Sequence, residues 1–193
     1  SEGRLKPYLG LTGNSSGTAV SIDWGDNSSV ESVTLNTSTV YTPHNYAAAG
    51  DYVIAITVTN GTISFSGDSS ARSNIFRKSA TRKSNEDSVY QNILTKLEIG
   101  SNVTNIGYGA FYYCRSLTSV TIPNNITTIN QYAFYNCQSL TSIIIPSSVT
   151  FIGNYAFSGC TSLTSVTIPN GVTSINQFAI SSCSALTSII IPS

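Results

Sequence analysis

Four cysteines, Cys114, Cys137, Cys160 and Cys183, stand 23 residues apart. The same step separates Pro123, Pro146, Pro169 and Pro192, and also Leu117, Leu140, Leu163 and Leu186. Ala110, Ala133, Ala156 and Ala179 keep it too, each followed by Phe111, Phe134, Phe157 or Ile180. So many matching columns exclude chance, and a fixed period of this length is the mark of a stacked solenoid. One more step back from Leu117 reaches Leu94, with Leu97 and Ile99 in strand slots. The array is therefore read as four full repeats and a fragment over residues 94–193.

Within one unit, Val120 and Ile122 alternate with Ser119 and Thr121, as in a short strand. Pro123 cannot donate to a ladder and ends it. Ile126 and Ile129 turn the chain back, and Gln131–Asn136 is expected to form a short helical or 3-10 piece carrying Ala133 and Phe134 inward. No unit can bury these positions alone; stacked units bury them against near-identical neighbours. The pattern [NG]-x-x-A-[FI]-x-x-C-x-x-L-T-S-[VI]-x-I-P recurs at Gly107–Pro123, Asn130–Pro146, Gly153–Pro169 and Asn176–Pro192. It resembles the BspA-like leucine-rich repeats of bacterial surface proteins. The usual Asn slot after the strand holds Asn125, Ser148 and Gly171, so no continuous Asn ladder is expected.

Residues 1–68 lack this repeat. Ala19–Asp26 reads as a strand running into a Trp24-Gly25-Asp26 turn, and Gly50–Val58 as a second alternating strand after His44-Asn45-Tyr46. The three motifs W-G-D, H-x-Y and G-x-Y-x-[VI]-x-[IV]-x-V resemble a PKD-like immunoglobulin-type β-sandwich. The expected fold is thus mainly β, an N-terminal β-sandwich followed by the solenoid. Residues 69–93 are read as a basic linker or N-terminal cap, with Arg72, Arg77, Lys78, Arg82 and Lys83 as charges and Val89, Tyr90, Ile93 and Leu94 as the cap's apolar face.

Composition narrows the function. Only 9% of residues are charged and the net charge is zero, which argues against nucleic acid as partner. The longest apolar runs, such as Tyr52–Ile56, are too short to span a bilayer. The start at Ser1 without a visible signal peptide is expected of a mature or trimmed chain. The stop at Ile191-Pro192-Ser193, in mid-repeat, leaves an open coil end, so either the natural protein continues or this end meets another chain.

His44 is the sole histidine, and the resemblance implies a packing role for it. The cysteine spacing is one per coil, unlike the paired spacing of zinc sites, and is read as a buried ladder of free thiols. Asp23, Asp26 and Asp51 are carboxylates of the kind a calcium ion takes near the W-G-D turn, but turn-forming Asp is the commoner role. No catalytic residue, metal or cofactor is expected. What remains is surface: Lys96 and Glu98, Ser119 and Thr121, Ser142 and Ile144, Ser165 and Thr167, and Ser188 and Ile190 should face outward on the concave side. Ile144 and Ile190 interrupt the threonine column that an ice-binding face would need. On the convex side gather Tyr108, Tyr112, Tyr113, Tyr132, Tyr135 and Tyr155. The BspA-like resemblance implies a secreted or cell-surface protein without enzymatic activity, an adhesin that contacts host matrix or neighbouring-cell proteins. A carbohydrate-binding module, stacking sugars on the tyrosines, is the alternative.

Overall fold

The computed structural model describes residues 8–38, 40–44, 54–65, 76–77 and 94–191. The strands are β1 (Tyr8–Gly13), β2 (Thr18–Asp23), β3 (Glu31–Leu35), β4 (Val40–Pro43), β5 (Ala55–Asn60), β6 (Ile63–Phe65), β7 (Phe76–Arg77), β8 (Lys96–Glu98), β9 (Val103–Ile106), β10 (Ser119–Thr121), β11 (Thr128–Ile129), β12 (Ser142–Ile144), β13 (Phe151–Ile152), β14 (Ser165–Thr167) and β15 (Ser188–Ile190). Among the described residues the fold is mainly β, without a helix.

In the repeats the 23-residue step becomes in-register parallel pairing. Ser119 lies opposite Lys96, Ser142 opposite Ser119, Ser165 opposite Ser142 and Ser188 opposite Ser165. This builds a five-stranded sheet in the order β15-β14-β12-β10-β8. A second parallel stack runs β13-β11-β9, with Ile106, Ile129 and Ile152 aligned and Ile175 bridged beyond them. Between the two stacks lie fully buried columns of identical residues: Phe111, Phe134 and Phe157; Cys114, Cys137 and Cys160; Leu117, Leu140 and Leu163. The phenylalanine rings stack at 5.2 and 5.5 Å between centroids.

The segment expected to be helical is a chain of turns instead. In Tyr132–Cys137, alternate amides bond in different directions. Ala133, Tyr135 and Cys137 donate three residues back, to Asn130, Tyr132 and Phe134. Tyr132, Phe134 and Asn136 donate to Asn154, Ala156 and Ser158 of the next coil. A helix would direct every amide back along its own segment; here half of them tie coil to coil. The reversal needs two left-handed positions per coil. One column is Gly109, Tyr132, Tyr155 and Phe178, with φ of 56–58°. The other is Tyr113, Asn136, Gly159 and Ser182. A bulky residue in this region is strained by about 1 kcal/mol or more, and the shared inter-coil ladder holds it there.

At a further column a glycine allows close coil approach in one unit. A Cβ on Gly153 would lie 2.5 Å from the Gln131 amide nitrogen. The neighbouring units carry Asn there, and Asn130 and Asn176 donate to the carbonyls of Ile106 and Ile152 in the preceding coil. The interrupted Asn slot behaves as expected: Asn125 donates to Ser101 and Val103, Ser148 to Ile126, and Gly171 has no side chain to contribute.

The N-terminal part has two antiparallel sheets. One is β3-β2-β5; the other joins β4, β7 and β6 to β1. Leu9, Leu11, Val20, Ile22, Trp24 and Leu35, on these strands and the turn after β2, are buried in the hydrophobic core. Strand β6 pairs in parallel with β9. The β1 sheet therefore continues without a break into the solenoid's second stack, giving one seven-stranded sheet. Phe65 meets Phe111 edge to face at 5.7 Å, so the phenylalanine column starts outside the repeats. Solenoid ends need covering, and among the described residues the strand that covers the first coil is β6. The cap expected on residues 69–93 falls mostly outside the described residues; Phe76–Arg77, within that span, pair with β1.

Candidate functional site

The outward face of the five-stranded sheet follows from the pleat. Leu97, Val120, Ile143 and Val166 point in. The alternate positions form two columns across the coils, one of Lys96, Ser119, Ser142, Ser165 and Ser188, the other of Glu98, Thr121, Ile144, Thr167 and Ile190. All are exposed except Ser119, which is half-buried. Ile144 is 82% exposed and Ile190 59%. All the outward positions expected from the sequence therefore share one continuous face.

The electrostatics of this face are confined to one edge. Lys96 Nζ lies 2.7 Å from Glu98 Oε1, and the ammonium holds the Glu98 carboxyl below its usual range, first through the hydrogen bond and then through charge. The other four strands present hydroxyls and methyls only. The hydroxyls differ in availability. Thr118, Thr141, Thr164 and Thr187 each donate to the preceding coil's carbonyl, on Thr95, Thr118, Thr141 and Thr164. Ser119, Thr121, Ser142, Ser165 and Thr167 take no part in that ladder. This division of roles is not visible in the sequence, where both sets are simply alternating hydroxyls.

The tyrosines gather as expected, but not as open platforms. Tyr132 and Tyr155 stack at 5.1 Å and 9°, Tyr155 and Phe178 at 5.0 Å and 24°, and Tyr112 and Tyr135 at 5.0 Å and 14°. Tyr112 is buried, whereas Tyr108, Tyr113, Tyr132, Tyr135 and Tyr155 are half-buried. The rings cover one another's faces along the coil-stacking direction. Arg115 sits over the Tyr113 ring at 4.9 Å from its centroid, an arrangement that attracts a cation to the ring's negative face.

The cysteines are free and stacked as read, with a role beyond small apolar filler. The thiols of Cys137, Cys160 and Cys183 donate to the carbonyls of Phe111, Phe134 and Phe157 at 3.2–3.3 Å. Burial pushes the Cys137 and Cys160 thiols well up, which keeps them protonated donors. Nothing reactive is expected of such thiols.

At the far end, Trp24 is buried and stacks on His44 at 4.5 Å and 9°. His44 Nε2 lies 2.9 Å from Asp26 Oδ2, and Trp24 Nε1 donates to Glu31 at 3.2 Å. Trp24 and Asp26 of the W-G-D motif thus meet His44; Tyr46 lies outside the described residues. A hydrogen bond from the Ser28 side chain, then the one with His44, brings Asp26 down to about 2. Asp23 Oδ1 accepts from the Gly25 amide and Asp26 Oδ1 from the Ser28 amide, both turn-forming bonds. Asp51 lies outside the described residues. Among those described, no three acidic, histidine or cysteine side chains are grouped to hold a metal.

In-register coils, an apolar column interior and one broad sheet face define a leucine-rich repeat solenoid. Residues 82–193 match the BspA type leucine rich repeat region in six copies, more than half of the chain. The protein belongs to that family. The match starts before residue 94, the first residue assigned to the array from the spacing. A leucine-rich repeat protein from Bacteroides ovatus is 27% identical over 76% of this chain and 42% of its own, with a TM-score of 0.54. That share exceeds what the repeats alone can supply. The leucine-rich repeat protein of T. pallidum is 35% identical over 50% of this chain and 45% of its own, with a TM-score of 0.49. A leucine-rich cell surface protein from Faecalibacterium prausnitzii is 30% identical over 50% of this chain and 37% of its own, with a TM-score of 0.39. The chain spans less than half the length of each of these. No curated protein matches. Among the described residues no helix is long and apolar enough to cross a membrane.

Proposed function

We propose that this protein is a non-enzymatic cell-surface or secreted adhesin that binds other proteins through the outward face of β8, β10, β12, β14 and β15. The observation that carries the reading is the face itself: a regular surface, uncharged beyond the Lys96–Glu98 pair at its edge, with Ile144 at its centre, 82% exposed among serines and threonines. Burying that isoleucine against a partner gives a favourable apolar contribution of about 1.5–3 kcal/mol, and the surrounding hydroxyls supply hydrogen bonds without desolvating charge. Membership of the BspA type leucine-rich repeat family supports the location. The meeting of Trp24, Asp26 and His44 supports a PKD-like sandwich as a second module or spacer. The same contacts give His44 a packing partner on one side and an acidic one on the other, as a structural residue would have.

Sugar binding on the tyrosines is the weaker reading, because their faces are already stacked on one another. The test is a screen of the purified chain against extracellular-matrix proteins and a glycan array, with a Ser142→Lys/Ile144→Lys variant alongside. Matrix-protein binding abolished in the variant is expected. Glycan binding that the variant leaves intact would move the site off the sheet and overturn the reading.

A further inference from the structure

Two columns of phenols cross the coil boundaries. Tyr112 and Tyr135 occupy one, Tyr132 and Tyr155 the other, each pair exactly one repeat apart and 5.0–5.1 Å between ring centroids. Tyr132 also meets Tyr135 at 5.4 Å and Tyr108 at 5.6 Å. Tyr132, Tyr135 and Tyr155 remain partly exposed. The Tyr132 and Tyr155 amides donate to Asn154 and Gln177 of the next coil, and the Tyr135 carbonyl accepts from the Tyr113 amide of the coil before, so the pairs are held together by the fold and not by chance encounter.

We propose that these two columns form an oxidative modification site, at which peroxide and a haem peroxidase join tyrosines of successive coils as dityrosine. Each phenol gives up one electron and one proton, leaving two tyrosyl radicals on adjacent rings. The radicals couple at carbons ortho to oxygen, forming one C–C bond. Each ring regains aromaticity as the hydrogen on the coupled carbon moves to oxygen. One hydrogen peroxide takes up the two electrons and two protons and leaves as two waters. Proximity makes the coupling effectively unimolecular, so stacked partners outcompete partners on other chains. The product is a covalent staple between neighbouring repeats. Phe178, next in the column after Tyr155, ends the run of phenols while keeping the ring stack at 5.0 Å.

The substitution Tyr155→Phe is therefore already exemplified one coil on and should preserve the fold. The experiment treats the full chain with hydrogen peroxide and a haem peroxidase, then reads dityrosine fluorescence and sequences cross-linked peptides. The expected result is a cross-link between Tyr132 and Tyr155 within one chain, in a yield independent of protein concentration. Tyr155→Phe should lose that peptide and keep the one joining Tyr112 to Tyr135. In urea both cross-repeat peptides should fall to the level of other tyrosine pairs. A yield that rises with protein concentration, or the same peptides at equal yield from the unfolded chain, would overturn the proposal.

Discussion

The two halves of the molecule solve the same burial problem in opposite ways. The N-terminal sheets use singular residues: one tryptophan, one histidine, one Asp26 held between Ser28 and His44. The solenoid uses columns, in which each phenylalanine, cysteine or leucine packs on a copy of itself. A singular contact has no substitute when lost. A column contact is backed by neighbours but shared by them, so a defect propagates to both adjacent coils. The halves meet where β6 pairs with β9 and Phe65 extends the phenylalanine column, which makes the N-terminal sheet the template for the first coil.

The sharpest way to break this comparison is to remove a ring from each side. Phe134→Ala, at the centre of the buried column, should lower stability by about 3–5 kcal/mol, read as a reduced urea midpoint. Phe65→Ala should lower it by a similar ~3–5 kcal/mol, although the residue lies outside the repeats. If it behaved as a surface residue, with less than about 0.5 kcal/mol lost, the junction would not be structural. Next in size is Asn14→Ala. Asn14 Nδ2 donates to Thr62 and Thr104, and its Oδ1 accepts from Ser64, bridging the halves. Its bonds are solvent-accessible, so a loss of about 1–2 kcal/mol is expected. Smaller still is Thr141→Val, which removes one rung of the exposed threonine ladder. About 0.5–1 kcal/mol is expected from thermal unfolding.

Acid should act on the N-terminal half first. Asp26 is ionised in the fold down to about 2, below the ordinary carboxylate value near 4. Its contribution is therefore complete above about pH 4 and fades as pH falls towards about 2. Asp26→Asn should flatten the acid limb of the stability curve followed by Trp24 emission. An unchanged limb would show that Asp26 is not the group responsible.

Much of the solenoid was legible because its period is a direct physical constraint. Cysteine, proline and leucine spacing led to the register of the sheet formed by β8, β10, β12, β14 and β15 and to the outward columns around Ile144. The turn chain at Tyr132–Cys137 was not legible, because left-handed tyrosines look in sequence like helix-compatible residues. Only the alternation of amide bonds between a coil and its neighbour explains them. The β6–β9 pairing was also hidden: Ile63–Phe65 is a short alternating run whose partner lies about forty residues on, across a span with no repeat signal. The face was therefore visible before the fold, and the junction that supports it was not.

The chain carries its own pair of probes for that junction. Its sole tryptophan, Trp24, is buried in the N-terminal sheets, while all four cysteines lie in the repeats. Urea unfolding followed both by Trp24 emission and by thiol labelling, on the native chain and on Phe65→Ala, tests directly whether the halves are one cooperative body. The expected result is a single midpoint for both probes, moving down together in the variant. Separate midpoints, or a variant that shifts one probe and leaves the other in place, would contradict it.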